Sequence, residues 1–485
     1  MSAPIEVGTV TATRRSGDAR ASWVVLLVAA AFFMENLDGT LMVTALPQMA
    51  ASFGVRPLDM SAGITAYLLS LAVLIPVSGW VADRFGVRTV FMAALATFTV
   101  ASALCGAAQS FAGFVAARML QGMAGAMMVP VGRLAVLRST RQENLMRAIA
   151  VITWPGLVAP ILAPPLGGLI VTFASWRWLF YLNVPLGCVG VWLTHRFFDA
   201  MAAPAERRPF DVCGFVLCGV ACSSLVYATE HLGRAGGSSL VLAAGVAMGV
   251  VTTVLAVWHL RRARTPLVSL ATLRIRTFGV AVGGGSIYRI SIGAVPFLLS
   301  LMFQTSFGLS AFSSGLLTLS VFAGNLAMKP LTTLIIQRFG FRSVLLVNGV
   351  LASLSVAAMS LLSPASPVAW MVAILFASGL ARSLQFTALN TLSFADVPQP
   401  QMSGAATLSS VATQLTMAFG VSAGAIALRI SQWLLDANAN AAPVGPHDFQ
   451  LAFIFVAVLG ACGLIDLVSL PRDAGSRVSG HRQTS

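Results

Sequence analysis

Long apolar stretches separated by short polar ones recur along the whole chain. Fourteen stretches lie near 22–46, 61–82, 88–108, 112–136, 147–172, 178–194, 212–230, 238–258, 277–304, 312–335, 343–362, 367–392, 403–430 and 449–470. A helix of about 20 apolar residues crosses a hydrocarbon core of roughly 30 Å. The pattern therefore predicts an all-α membrane protein with fourteen transmembrane helices. An even number of crossings places both termini on one side. The first stretch is longer than a signal-peptide core and has no small-residue cleavage site before polar sequence. It is expected to remain as a helix.

Composition supports this reading. Hydrophobic residues make up 57% of the chain, charged residues only 9%, and the mean hydropathy is +0.85. Soluble domains are roughly one-quarter charged, so most of this surface faces something other than water. The 30 basic residues include one lysine, Lys329. About 21 of them lie in tails and loops on the N-terminal side, from Arg14, Arg15 and Arg20 to Arg472, Arg477 and Arg482. The opposite loops hold only Arg56, Arg177, Arg234 and Arg429. Basic loops stay cytoplasmic, so the net charge of +14 is a topology signal placing both termini on the cytoplasmic side. A nucleic-acid surface would gather these arginines on one face; here they are dispersed among short loops. All six cysteines (Cys105, Cys188, Cys213, Cys218, Cys222, Cys462) fall in or beside apolar stretches, which excludes a disulfide framework or zinc site. No metal or cofactor is implied.

The chain also repeats. Ser52-Phe53-Gly54 recurs as Ser306-Phe307-Gly308, and Arg84-Phe85-Gly86-Val87-Arg88 recurs as Arg338-Phe339-Gly340-Phe341-Arg342, with Pro76 matched by Pro330. Each pair is offset by 254 residues. This constant offset predicts two related six-helix bundles with a substrate site between them at mid-membrane. The expected organisation is a tail (1–21), a first bundle (22–195), a linker with two inserted helices (196–276), a second bundle (277–470) and a tail (471–485). Within the inserted pair only Glu230, near a membrane edge, bears on chemistry.

Ionisable residues inside a span are costly, and each is a functional candidate. Glu35 and Asp38 are three residues apart, so both carboxylates share one helical face. Burial and mutual repulsion make at least one easier to protonate near neutral pH. None of the five histidines is mid-span, which leaves the carboxylates as proton carriers. Asp38 lies some 16 residues along an outward-running helix, and Arg118 some 17 residues from the same surface on an inward-running one. At about 1.5 Å per residue the two sit at similar depth and are placed to pair. Protonation of Asp38 would then release Arg118. In the second half the span cations are Arg289, Lys329 and Arg382. The repeat offset makes Arg289 the counterpart of Glu35, and the two are expected to face each other and pair when the site is empty. The alternatives are an anionic substrate, or snorkelling and carbonyl binding by Lys329 and Arg382. Asp83 is expected to latch the halves by capping the helix that starts near Ser403-Gly404, with Arg84 and Arg88 bracing the turn. The run Gly156, Pro160, Pro164, Pro165, Gly167, Gly168 reads as either a hinge or a tight-packing seal.

These segments resemble the fourteen-helix drug:proton antiporters of the major facilitator superfamily, the EmrB/QacA-like group. The resemblance covers nearly the whole chain. Leu37-Asp38-Gly39-Thr40 with Ala45-Leu46-Pro47 is similar to the group's first-helix motif, whose Asp is implicated in proton coupling. Gly79-Trp80-Val81-Ala82-Asp83-Arg84-Phe85-Gly86-Val87-Arg88 is similar to the superfamily's loop motif. Arg118-Met119-Leu120-Gln121-Gly122 with Gly125 resembles the fourth-helix motif, whose Arg assists proton transfer. The Gly/Pro run resembles the antiporter motif, with Ala159 and Ala163 where glycines are usual. Trp176-Arg177-Trp178 through Asn183-Val184-Pro185 and Pro266-Leu267 through Phe278 resemble further signatures of the group. Gly125 through Arg133 and Gln385 through Asn390 are similar to the MdtD/HsrA-like branch, which commonly has Gln where Glu35 stands. The resemblance implies a major facilitator fold and proton-driven export of small amphiphilic molecules, with a cavity that includes Glu35, Asn36, Asp38, Arg289, Arg382 and Gln385.

The alternative is a proton-coupled carrier of a metabolite or organic anion on the same fold. An enzyme is not implied. An ATP-driven pump is excluded because a phosphate-binding loop needs Gly-Lys-Ser/Thr and the single lysine sits in Met328-Lys329-Pro330. The expected partners are small-molecule substrate, protons and the bilayer. The fold requires no second chain, so a monomer is expected.

Overall fold

The computed structural model describes residues 8–140, 142–198, 209–232, 239–435, 444–471 and 474–475, and every regular element in them is helical. Fourteen rods follow one another along the chain. The first six are α1 (Gly8–Thr44), α2 (Pro57–Phe85), α3 (Val87–Ala107), α4 (Phe111–Ser139), α5 (Gln142–Phe173) and α6 (Asn183–Phe197). Next come α7 (Val212–Leu232) and α8 (Ser239–Arg262), then α9 (Arg276–Ser306). A continuous run, Ala311–Ala358, is two rods, α10 (311–339) and α11 (341–358), because Gly340 breaks the helix. The last three are α12 (Val368–Ala395), α13 (Met402–Leu435) and α14 (Pro446–Val468). The side chain of Glu230 and parts of the tails and linker lie outside the described residues.

The sequence repeat has a backbone cause. Gly54 and Gly308 have φ of 66° and 67°, and Gly86 and Gly340 have φ of 84° and 73°. These are the equivalent pairs under the 254 offset. Only glycine adopts such angles without strain, so the same two turns are punctuated in the same way in both halves.

Helix α5 packs on α1 and α10, and α2 packs on α4 and α13, which gives two seams between the halves. The arginine-rich loops mark one end of the molecule, here called the basic end. At the opposite, far end Ser300 Oγ donates to the Val43 carbonyl at 2.6 Å and Gln304 Nε2 to the Thr44 carbonyl at 2.9 Å. Gln48 Nε2 donates to Gln304 Oε1 at 3.1 Å, and the Phe312 amide to Thr172 Oγ1 at 3.2 Å. A buried aromatic group of Phe53, Phe114, Trp176 and Phe180 stiffens the first half just beneath these contacts.

The inserted pair α7–α8 is not a detached appendage. Helix α7 touches both α2 and α13, with Trp80 against Phe210 at 4.8 Å between ring centroids. Asp211 anchors its start. It accepts from the Gly214 amide at 2.8 Å and the Leu267 amide at 3.1 Å, and its Oδ1 lies 2.7 Å from His259 Nε2. Burial alone would raise the Asp211 pKa, but the Gly214, His259 and Leu267 contacts outweigh it and hold the carboxyl below its ordinary value. Because that pKa is lowered by folding, the stabilisation is present above about pH 4 and is lost as the pH falls through the folded pKa. Asp211→Ala removes a helix cap and leaves two amides without acceptors, so thermal unfolding in detergent should show a loss of about 1–2 kcal/mol. The difference from wild type should shrink below about pH 4. A pH-independent difference would show that the carboxylate is not the stabilising species.

Candidate functional site

Asp38 lies deep in the first half with its side chain 1% exposed, and Arg118 is fully buried beside it. Arg118 Nη1 donates to Asp38 Oδ2 at 2.6 Å and to Gln121 Oε1 at 2.7 Å. Gln121 Nε2 and Asn183 Nδ2 donate to the other carboxylate oxygen at 3.0 and 2.9 Å. Asn183 also donates to Ser102 Oγ, which in turn donates to the Phe180 carbonyl. Helices α1, α3, α4 and α6 thus meet on one carboxylate. Gln121 and Asn183 satisfy the second carboxylate oxygen, which a buried ion pair requires, while Arg118 Nε and Nη2 are buried without a hydrogen-bond partner among the described residues. The carboxylate is the counter-charge of the buried guanidinium.

Tyr67 of α2 supports the pair from below, with the Arg118 guanidinium 4.3 Å over its ring. A Cβ on Gly125 would sit 3.5 Å from both Tyr67 Oη and Glu35 Cδ. Glycine there lets the Glu35 carboxyl and the phenol converge on the same spot of α4. Glu35 Oε2 and Tyr67 Oη are buried without a protein partner among the described residues, while the Glu35 side chain as a whole is only partly buried. Glu35 is therefore the accessible member of the carboxylate pair and Asp38 the sealed one. Asn36 turns its amide back to the Phe32 carbonyl at 2.8 Å, facing Gly156 of α5.

The second half departs from expectation in two places. Arg289 and Glu35 do not pair. Helix α9 breaks at Gly283 (ψ −96°), and Arg289 Nη1 takes the Ala281 carbonyl at 3.0 Å while Nη2 takes Asn390 Oδ1 at 2.9 Å. With 1% exposure, Arg289 mends a broken helix. Gln385 is fully buried, donating to the Leu345 carbonyl at 3.0 Å and accepting from Asn348 at 3.0 Å. It faces the α11 side of the bundle, away from the first half. Arg382 and Lys329 remain partly buried; Lys329 Nζ donates to Thr387 Oγ1 at 3.0 Å.

Asp83 does not make the expected latch. It accepts from Arg138 Nη2 at 3.0 Å, within its own half. The hydrogen bonds described above join the halves at the far end, so the acid at the basic end is engaged locally. Arg88 braces the turn by donating to the His195 carbonyl at 2.7 Å, Gly86 forms it, and Arg84 points to solvent. A side chain at Gly79 would meet nothing within 4 Å. In α5 the proline run stays helical throughout. A Cβ at Gly167 would collide with Thr44 Oγ1, one at Gly168 with the Ala311 carbonyl, and one at Gly315 of α10 with the Pro164 carbonyl. Tight packing describes this run in the present state, with Pro160 and Pro164 on the helix that bridges α1 and α10.

Comparison with known proteins decides the family. The Major Facilitator Superfamily model matches residues 28–420, with a second match over residues 281–483. The chain belongs to the Major Facilitator Superfamily. A relative from Klebsiella pneumoniae (strain 342), named "Putative multidrug resistance protein MdtD", is 39% identical over 462 residues, covering 94% of this chain and 96% of the relative. Its namesake from Escherichia coli O7:K1 is 38% identical over 409 residues, covering 84% and 86%. Among solved structures, an auto-inhibited peptide transporter of the POT family superposes with a TM-score of 0.68 at 16% identity, covering 91% of this chain and 96% of that one. The xylose transporter XylE from E. coli, in an inward-open conformation, gives 0.60 at 12% identity, covering 93% and 96%. At such identities the structures speak for the fold alone.

Within this major facilitator chain, Gln121, Asn183, Ser102 and Tyr67 are site residues that the sequence pattern does not single out. Two carried a signal. Gln121 is one turn from Arg118 in the fourth-helix motif, and Asn183 lies in the Trp176-to-Gly187 signature. Neither Ser102 nor Tyr67 stands out in its apolar helix.

Proposed function

We propose that this chain is a proton-driven exporter of small amphiphilic compounds, working as a monomer with bundles at 22–195 and 277–470. The observation that carries the reading is the buried Asp38–Arg118 pair, whose carboxylate also accepts from Gln121 and Asn183, set beside the partly accessible Glu35. Families of this kind use a carboxylate that trades a proton for substrate. The named relatives point to drugs as the cargo. Basic loops stay cytoplasmic, which puts both termini inside and the far-end contacts on the periplasmic side. On this reading the state with the far end closed is the one that takes substrate from the cytoplasm. Substrate enters there and displaces the proton held at the carboxylates. Re-pairing of Asp38 with Arg118 then favours one packing of α1 against α4 over the other. Export follows when the far end parts and the basic end closes, where Asp83 exchanges Arg138 for the start of α13. The latch and the packing of Gly79 belong to that second state.

The test is substrate-induced proton release from detergent-purified protein. A panel of lipophilic cations, neutral amphiphiles and zwitterions should give stoichiometric release with at least one class. Absence of release with every class would sink proton exchange. Glu35→Gln should retain release through Asp38 yet weaken binding of a lipophilic cation roughly tenfold, the loss of one charge-assisted contact. Equal binding by wild type and variant would remove Glu35 from the binding site.

A further inference from the structure

The charges of the second half do not balance. Its described carboxylates lie at helix ends: Asp396 follows α12, Asp448 caps α14 through the Gly445 amide, and Asp466 accepts from the Gly284 amide. None is at mid-span, where Arg289, Lys329 and Arg382 sit. Arg289 has two oxygen acceptors, on Nη1 and Nη2, with Nε alone left without a partner among the described residues. Lys329 has a hydroxyl and no carboxylate. Arg382 has less. Its Nη1 is buried without a partner, its guanidinium makes no hydrogen bond or ion pair to a described residue, and it stands 5.9 Å over the Phe322 ring with the neutral phenol of buried Tyr288 nearby.

Helix geometry says where these two cations face. Gly315, Phe322 and Lys329 are spaced by seven residues on α10. At about 100° per residue each step returns within roughly 20° of the same azimuth, so they form one stripe. Gly315, at the far-end side of that stripe, meets the Pro164 backbone of the first half. The stripe therefore looks at the first half. At about 1.5 Å per residue, Phe322 and Lys329 lie roughly 10 and 21 Å further toward the basic end. Arg382 reaches Phe322 from α12, and Phe386 follows Arg382 by one turn on the same helix.

We propose that Arg382 and Lys329 form a subsite for an anionic group of the transported molecule, a carboxylate, sulfonate or phosphate, with Phe322 and Phe386 taking adjacent apolar parts. An unpaired cation in a low-dielectric interior is costly to keep, and a forked guanidinium matches planar or tetrahedral oxyanions. With Glu35 offering the opposite charge in the first half, the fitting substrate class is acidic or zwitterionic amphiphiles. This subsite rests on the exporter reading for its role, but its binding is testable alone.

The experiment compares a dansyl-labelled amphiphilic carboxylate with its methyl ester. Binding to purified protein is read by fluorescence, and movement is read in proteoliposomes under an imposed proton gradient. In the wild type the carboxylate should bind at least tenfold more tightly than the ester. R382Q and K329Q should each erase most of that preference and leave ester binding unchanged, and R382K should restore part of it. R382Q should also unfold no earlier than wild type, because it removes an uncompensated charge; early unfolding would assign Arg382 a structural role and overturn the subsite. Equal binding of carboxylate and ester by the wild type, or a preference untouched by both variants, would overturn it as well. Wild-type binding with this preference but no gradient-driven movement of either probe would leave the subsite standing and count against the exporter reading.

Discussion

Asp38→Asn should reduce substrate-induced proton release to background. Three donors, Arg118 Nη1, Gln121 Nε2 and Asn183 Nδ2, converge on the two carboxylate oxygens. An amide at position 38 cannot take up a proton near neutral pH, and it turns one acceptor into a donor that faces other donors. It also leaves Arg118 buried without a counter-charge, which costs about 3–5 kcal/mol in comparable cases. Loss of coupling and loss of folding must therefore be told apart. Pairing Asp38→Asn with Arg118→Gln removes both charges, so the double variant should regain much of the stability while release stays at background. Stability is read by thermal unfolding in detergent, and release by a pH-sensitive dye. Proton release that survives in a folded Asp38→Asn variant would show that the proton is carried elsewhere, with Glu35 the next residue to test.

Gly168→Val should disable the far-end closure. A Cβ at this position already overlaps the Ala311 carbonyl and lies 2.7 Å from Phe312 Cα, backbone atoms that cannot rotate away. Overpacking of this kind costs about 1–3 kcal/mol, and every 1.4 kcal/mol is about tenfold in an equilibrium. The far-end-closed state should therefore lose roughly 5- to 150-fold in population. Gly315→Val attacks the same seam from α10, where its side chain meets the Pro164 carbonyl, and should give the same result. Spectroscopic labels at Gln48 and Gln304, which hydrogen-bond in the closed state, should report a longer distance in both variants. Transport should fall at least tenfold. Unchanged label distances in folded protein would mean that the seam closes without these glycines.

What the sequence disclosed follows from which physical quantities a linear chain encodes. Span length is local, so the helices are readable without a structure. Depth is nearly as readable, because rise per residue is constant. It places Asp38 and Arg118 at one level, and the structure pairs them at 2.6 Å. Azimuth is harder. Gln385 is polar and mid-span like a cavity residue, but the rotation of α12 turns it to Leu345 and Asn348 inside the bundle. Arg289 shares a repeat position with Glu35, yet the break at Gly283 supplies a free carbonyl that its longer side chain reaches first. Uncharged partners such as Asn183 and Ser102 are quiet in sequence because hydroxyl and amide groups are tolerated in helices for many reasons. Asp83 is a different case: its partner Arg138 lies 55 residues away, and which of several cations near the basic end it meets is set by packing rather than by spacing.

The inserted helices have a consequence for lipid. Because α7 leans on α2 and α13 together, it roofs the crack between the halves on that flank and keeps acyl chains from wedging into it. The opposite flank, where α5 meets α10, has no such roof from α7. Any rocking of one half against the other must also shear α7 past α2 or α13. The pair thus makes a symmetric clamshell lopsided, with one sheltered edge and one edge that meets the bilayer directly.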